Sequence, residues 1–535
     1  MKKWLGIFFL CLLVQSVGAT KLPDNMYFRA MQAEMNRTKK HLHVKGSAKP
    51  LYIVYRIAHQ EGQHFSADMG QLYKTSGQDP ISGVGMAVYM YAGDQKHNSS
   101  GFVDDHYPYT VLSDRGGDSE DALRQNLWQL TDLEYIKASN LAEKKEAYRR
   151  RKNLGEEPND FSTAPHASYV EDIRPFVPYP AAPFESLVQE LSAEGKKWPY
   201  LEQYEVSVQL GQFARYFLDS EGNFYQIQVP ANEVTLIASF RNTDGYKRSL
   251  QANYPLPLDV NKADEFIRAK AAEFLQQIAQ QRTAKKVEPY IGPVLFVPEA
   301  AAGFFQQLFI KNVRNSKPLL SAHSETDASA GLFKDKVHMR VMSPMFEVFD
   351  RPQAREYQGF PLVGFMPVDA EGVQAQELHL VENGKLKTLP MMRSLIKDQS
   401  ISNGHARSTS AYPRANVTNV FFEPTSALSP ELLEEKLLQR CRELGLEYGY
   451  IFHSFPYVLA ERIYTADGHK EAVYGIKLDG LTARSLRDIV AAGTNVQPVN
   501  LGNVSVITPS ILVDEIELVP TQQKPDRAPF VSLPK

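Results

Sequence analysis

The sequence predicts an α+β fold, with helix-plus-antiparallel-sheet regions in the first half and a β-rich mixed domain in the second. Three observations carry this prediction. Apolar residues recur at helical spacing in several well-capped segments. The stretch from Tyr204 to Tyr254 alternates apolar and polar residues between turn signals, as an antiparallel meander does. After Met342, short apolar runs alternate with Pro and Gly turns, and helices become sparse. At 535 residues the chain is long enough for two to four domains of ~100–200 residues. With 43% hydrophobic and 23% charged residues, it can bury an ordinary core.

Met1 to Ala19 reads as a secretory signal, with Lys2 and Lys3 before an apolar centre and Val17-Gly18-Ala19 as the cleavage site. The expected mature protein is therefore exported, to the periplasm, with no membrane span. Of the two cysteines, Cys11 lies in the leader and Cys441 stands alone, which leaves neither a disulfide nor a thiolate cluster. Region 20–116 opens with a helix capped by Asp24 or Asn25 and ended by Lys39, Lys40 and His41. Strands are expected at Leu51 to Ile57, Phe65 to Tyr73 and Gly83 to Tyr91. Region 117–285 begins with a long helix from Ser119 to Lys152 that carries Leu123, Leu127, Leu130 and Leu133 inward; its charged end from Glu143 reads as a solvated face. A proline-rich connector from Pro165 to Pro183 leads to a short helix and the meander, with turns at Ser220-Glu221-Gly222 and Asn242 to Gly245. An amphipathic helix from Val260 to Arg282 closes this region.

The third region, 286–520, starts with strand Pro293 to Val297 and a buried helix bearing Phe304, Phe305, Leu308 and Phe309. Asn383-Gly384 marks a hairpin, Val417 to Phe422 a strand, and Ser429 to Gly445 a helix with Pro430 in its first turn. Tyr474 to Leu478 reads as strand, Ala483 to Ala492 as helix and Ser510 to Leu518 as the last strand, before a tail at 521–535. The net charge of -3 and the absence of a long basic run give no electrostatic footprint for nucleic acid.

Six segments in order carry a resemblance: GPVLFVPEAAAGFF from Gly292, VDAEGV from Val368, ENGKL from Glu382, SNGHARSTSAYPRANVTNVFFEP from Ser402, AVYGIKLDGLTARSLRDIVAAGT from Ala472 and PSILVDEIEL from Pro509. Together they resemble the C-terminal domain of the TldD/PmbA family. The resemblance implies paired subunits: a TldD type that is a zinc metallopeptidase acting on unfolded peptides, and a PmbA (TldE) type that binds no metal. In the active type, a His-Glu-x-x-x-His helix and a distant cysteine hold the zinc, and the glutamate takes the proton of its water. Carried onto this chain, the first histidine falls on Gln306 or Gln307, the glutamate on Gln307 or Leu308, and the second histidine on Lys311 or Asn312. No cysteine occurs between Gly493 and Pro509. A carboxamide is a poor zinc ligand and no general base.

The resemblance thus implies a non-catalytic subunit without cofactor, zinc being expected only where a partner supplies the site. Its partners would be extended or unfolded peptide and a second subunit, in a homodimer or a heterodimer with a TldD-like chain. Arg407, Arg414 and Asn419 match family positions that could line a peptide cleft. Asp369 and Glu371 resemble the family's acidic turn and are further candidates for the cleft, readable also as a structural hairpin or as an acid and base pair. The alternative is an active peptidase using another metal site or nucleophile. For that, His323, Glu325 and Asp327, with His338 and His405 further on, offer metal-binding types, and Ser408 and Ser410 lie near His405.

Overall fold

The computed structural model describes residues 21–73, 81–103, 117, 119–243, 245, 247–321, 331–396, 401–408, 413–455 and 459–521. The leader, the tail from 522, the stretch holding His323, Glu325 and Asp327, and Ser410 lie outside the described residues.

The first half builds one eight-stranded sheet. Strand Pro50–Asp68 pairs antiparallel with Ile81–Ala92 on one side and with Leu201–Asp219 on the other, and the latter pairs with Phe224–Pro230 and Glu233–Arg241. The sequence reading divides this half at 116/117. The ladder from Val54↔Asp219 to Asp68↔Glu205 crosses that division, so both regions share a single sheet. The two strands expected at Leu51 to Ile57 and Phe65 to Tyr73 are largely one, because Gly62 makes a close approach rather than a turn. It sits opposite Gly211, and a Cβ on either would lie 2.6 Å from a carbonyl oxygen of the facing strand. Gly211→Val is accordingly expected to destabilise the fold by about 1–3 kcal/mol through enforced separation of the strands; an unchanged urea midpoint would remove this account.

Alternation decides what each face meets. Ile53, Tyr55 and Ile57 point to helices Met26–His41 and Glu120–Lys152, while Phe65 and Ala67 point to helices Ala181–Ala193 and Ala263–Arg282. These odd-numbered residues share one face of the strand, so all four helices cover the same side. The first two helices start where expected, with Asn25 Oδ1 accepting from Phe28 N and Ser119 Oγ from Ala122 N. Leu133, however, is 48% exposed; the buried stripe runs through Leu123, Leu127, Leu130, Glu134, Ala138 and Leu141. The charged end of this helix is solvated at Glu143, Lys144, Arg150, Arg151 and Lys152, as expected, but two of its cations turn inward. Lys145 Nζ is buried 2.6 Å from Asp160 Oδ2, and Arg149 pairs with Glu157. The opposite face of the sheet carries Tyr52, Val54, Tyr89, Tyr91 and Phe217, packed with Phe161, and from it Tyr52 and Tyr91 meet Arg393 and Glu371 of the second half.

The second half holds two further sheets around one core. The mixed eight-stranded sheet places Tyr290–Phe296 between Tyr448–Ser454 and Ile511–Pro520. The six-stranded sheet runs Lys385–Leu386, Leu378–Glu382, Phe346–Asp350, Asn419–Pro424, Val504–Thr508 and Gln497–Leu501. Helix Pro298–Phe305 is buried between them, with Phe304 5.1 Å from Phe296 and Phe305 stacked on Phe422 at 3.8 Å between centroids. Helix Pro430–Glu443 covers the other side of the mixed sheet through Leu433, Leu437 and Cys441. The helix expected at Ala483 to Ala492 is instead a short 3-10 turn, Ala483–Leu486, followed by strand Ile489–Ala492, whose β-branched start pairs with Ile511–Pro520. The architecture is α+β, as the sequence patterns predict. No helix among the described residues is long and apolar enough to cross a membrane.

Candidate functional site

The helix from Pro298 does not end as an α-helix. Gln306–Ile310 forms a π turn, closed by Lys311 N–H donating to Gln306 O at 3.2 Å. A π turn closes i→i+5 and so takes one residue more than an α turn, which gives physical form to the one-residue ambiguity in matching Gln306 and Gln307 to a histidine. Both glutamines are half-buried and Lys311 is exposed. The Lys311 ammonium donates to Gln307 Oε1. The helix packs against Gln497–Leu501 and Val504–Thr508, within the stretch matched to the family's cysteine. The fold therefore sets Gln306, Gln307 and Lys311, the residues matched to the family's zinc motif, on a helix that contacts those strands. These residues do not fit zinc: the carboxamide oxygen already faces a cation, and no carboxylate is present at these positions to take a proton from water. Among the described residues, no group of three His, Cys, Asp or Glu is placed to hold a metal. His338 is exposed at φ +69°, while His405 is buried 3.2 Å from Asp350, with its Nδ1 3.0 Å from Asn403 O.

The remaining candidates separate into wholly buried residues and a half-buried pair of arginines. Asp369 and Glu371 are wholly buried, so they cannot line a peptide cleft. Asp369 accepts the N–H groups of Glu371, Val373 and Ala406, each at 2.9 Å. Directly after Glu371, Gly372 has φ +75°, and a Cβ there would lie 2.4 Å from Asp219 Oδ2. Glu371 accepts Tyr91 Oη–H at 2.9 Å and Arg393 N–H at 2.7 Å. The Arg393 guanidinium donates to Ser162 O, Glu371 O and both carboxylate oxygens of Glu221, and lies 3.8 Å above the Phe161 ring. Asp219 accepts Tyr52 Oη–H at 2.8 Å. Burial pushes Asp369 up to about 6 against its backbone donors, and pushes Glu371 up to about 7 with help from the Asp369 charge. The acidic turn is thus the seam that joins the first sheet to the second half.

Asn419 is wholly buried as well, its Nδ2 donating to Ala354 O at 2.8 Å and Arg351 O at 3.2 Å; its role is in the core and not in a cleft. Arg407 and Arg414 do face each other, as cross-strand partners in a two-stranded ladder, and both are half-buried. Ser408 offers its carbonyl to Arg56 Nη1 at 3.5 Å. Arg56, Arg215 and Arg393 were not singled out by the sequence, because their partners lie in other elements: Arg393 and Glu221 are 172 residues apart.

Residues 290–519 match the family described as the PmbA/TldA metallopeptidase C-terminal domain. Residues 290–519 are thus a domain of the TldD/PmbA type. Solved structures of similar fold extend the likeness in fold over most of the chain. TldE from Thermococcus kodakarensis aligns at TM-score 0.59 and 14% identity, over 91% of this chain and 99% of that one. A candidate modulator of a DNA gyrase from Thermotoga maritima aligns at TM-score 0.57 and 15% identity, over 92% and 100%. A candidate modulator of DNA gyrase from Bacteroides thetaiotaomicron aligns at TM-score 0.57 and 12% identity, over 92% and 98%. At these identities the likeness establishes the fold alone. No protein of curated function matches the sequence.

Proposed function

We propose that this chain is an exported, non-catalytic subunit of TldD/PmbA type that binds extended peptide and works with a metal-bearing partner subunit. The observation that supports this most is the Lys311 ammonium seated on the Gln307 carboxamide, where the active type needs imidazole and carboxylate. Peptide binding is supported by the position of strand Gln497–Leu501, which lies at the edge of the six-stranded sheet and against the motif helix. An edge strand offers unpaired backbone groups to an added strand. Export rests on the pattern of Met1 to Ala19.

The test is metal analysis of the purified protein together with cleavage of an unfolded peptide, with and without chelator. The expected result is zinc far below one per chain and no chelator-sensitive cleavage by the chain alone. Stoichiometric zinc with chelator-sensitive cleavage would overturn the proposal.

A further inference from the structure

The face of the first sheet that meets the second half is aromatic at the seam, but it turns cationic beside it. In the ladder of the two long strands, Arg56 stands opposite Phe217 and Arg215 opposite Ala58, so the two arginines are diagonal neighbours on one face. Arg56 Nη1 reaches Ser408 O, which brings it next to Arg407 on the second half. Arg407 in turn donates to Gly364 O at 3.4 Å and to Asn503 O. Asn503 lies in the turn after edge strand Gln497–Leu501, so the three guanidinium groups gather near one end of that edge.

The charges in this group are not matched. The hydrogen-bond acceptors of Arg56 and Arg407 are carbonyls and the Met366 sulfur, and the Nε atoms of both are buried without a partner. Among the described residues, no carboxylate forms an ion pair with Arg56, Arg215 or Arg407. Asp350 acts on Arg407, but it is already engaged by Thr418, Asn419 and His405. Arg215 is exposed to water, beside the half-buried Arg56 and Arg407.

We propose that Arg56, Arg215 and Arg407 form a receptor for a carboxylate of the bound peptide, at the end of edge strand Gln497–Leu501. This rests on the peptide-binding reading and specifies what the peptide must carry. Guanidinium groups bind carboxylates through paired, charge-assisted hydrogen bonds, and three neighbouring guanidinium groups without a carboxylate partner are what such a ligand completes. The carboxylate comes from the chain terminus or from an acidic side chain.

The test uses fluorescence anisotropy with three labelled peptides of one sequence: a neutral amidated form, a form with a free C-terminus, and an amidated form with one internal glutamate. Thermal shift with N-acetylglutamate reports the anion site apart from peptide. Arg215→Glu is the informative variant, since the side chain is exposed and its replacement leaves the core intact. At least one carboxylate peptide is expected to bind the wild type about tenfold more tightly than the neutral form, and Arg215→Glu to abolish that difference while leaving the neutral peptide unchanged. Which form gains identifies the source of the carboxylate. Equal binding of all three peptides would overturn the receptor and leave the peptide reading intact. Should no peptide bind while N-acetylglutamate stabilises the wild type but not Arg215→Glu, the receptor stands and the peptide reading falls. Silence in both measurements removes both.

Discussion

Arg393→Ala is expected to lower the free energy of unfolding by about 2–4 kcal/mol, through the cavity left by a wholly buried side chain and the loss of its hydrogen bonds to backbone carbonyls. Arg393 is among the largest wholly buried side chains of the protein. Its guanidinium holds Glu221 from the first sheet, the carbonyl of Ser162, and the carbonyl of Glu371 in the acidic turn. Truncation would strip donors from all three and leave a cavity against Phe161 and Tyr52. Arg393→Lys should recover little, because a point ammonium cannot reproduce the planar fork. The comparison is Arg487→Ala, which removes an exposed donor to Arg340 O and should change stability by no more than about 0.5 kcal/mol. Urea titrations of the three variants would contradict this account of the seam if Arg393→Ala and Arg487→Ala shifted the midpoint alike.

The same seam should make the protein more stable in mild acid than in mild base. An unfolded carboxyl titrates near ~4. In the fold, Asp219 and Asp369 are pushed up to about 6 and Glu371 to about 7, burial being the first cause in each. Through this window the folded chain holds protons that the unfolded chain releases. Their contribution is full below about pH 4 and is lost as pH rises through 6 and 7. For Glu371 the change is on the order of 2–3 kcal/mol. Carboxyls pulled the other way, such as Asp160 and Glu461, lose their contribution only in stronger acid, outside this range. Urea midpoints at pH 5, 6, 7 and 8 should fall steadily for the wild type and less steeply for Glu371→Gln. Equal slopes would place the titrating groups elsewhere.

What the sequence makes legible here is what a few neighbouring residues decide. Asn25, Ser119 and Ser429 cap helices because each side chain reaches a backbone N–H three residues on. Asn383 and Gly384 turn a hairpin because both adopt positive φ, 47° and 73°. The family's motif positions are legible in the same way, as a linear pattern. Three other features were not. Gly62 looks like a turn until Gly211, from a distant part of the chain, is found opposite it. Asp369, Glu371 and Asn419 are polar residues in loop-like surroundings, and only the packing of the first sheet and the adjoining loops buries them. Arg56 and Arg215 are unremarkable strand residues until Arg407 is brought beside them.

The aromatic face of the first sheet has a consequence for how the chain reaches its native state. Tyr52 waits for Asp219, 167 residues on, and Tyr91 waits for Glu371, 280 residues on. Such separations put the late, costly loop closures at the centre of the structure, and contacts of this range slow folding. Until the second half is complete, Tyr52, Val54, Tyr89, Tyr91 and Phe217 are covered only by first-half residues such as Phe161 and Tyr225, on a sheet that is otherwise finished. A fragment ending near Arg282 would keep its four helices and its strand ladders, and would associate through this face instead of remaining monomeric.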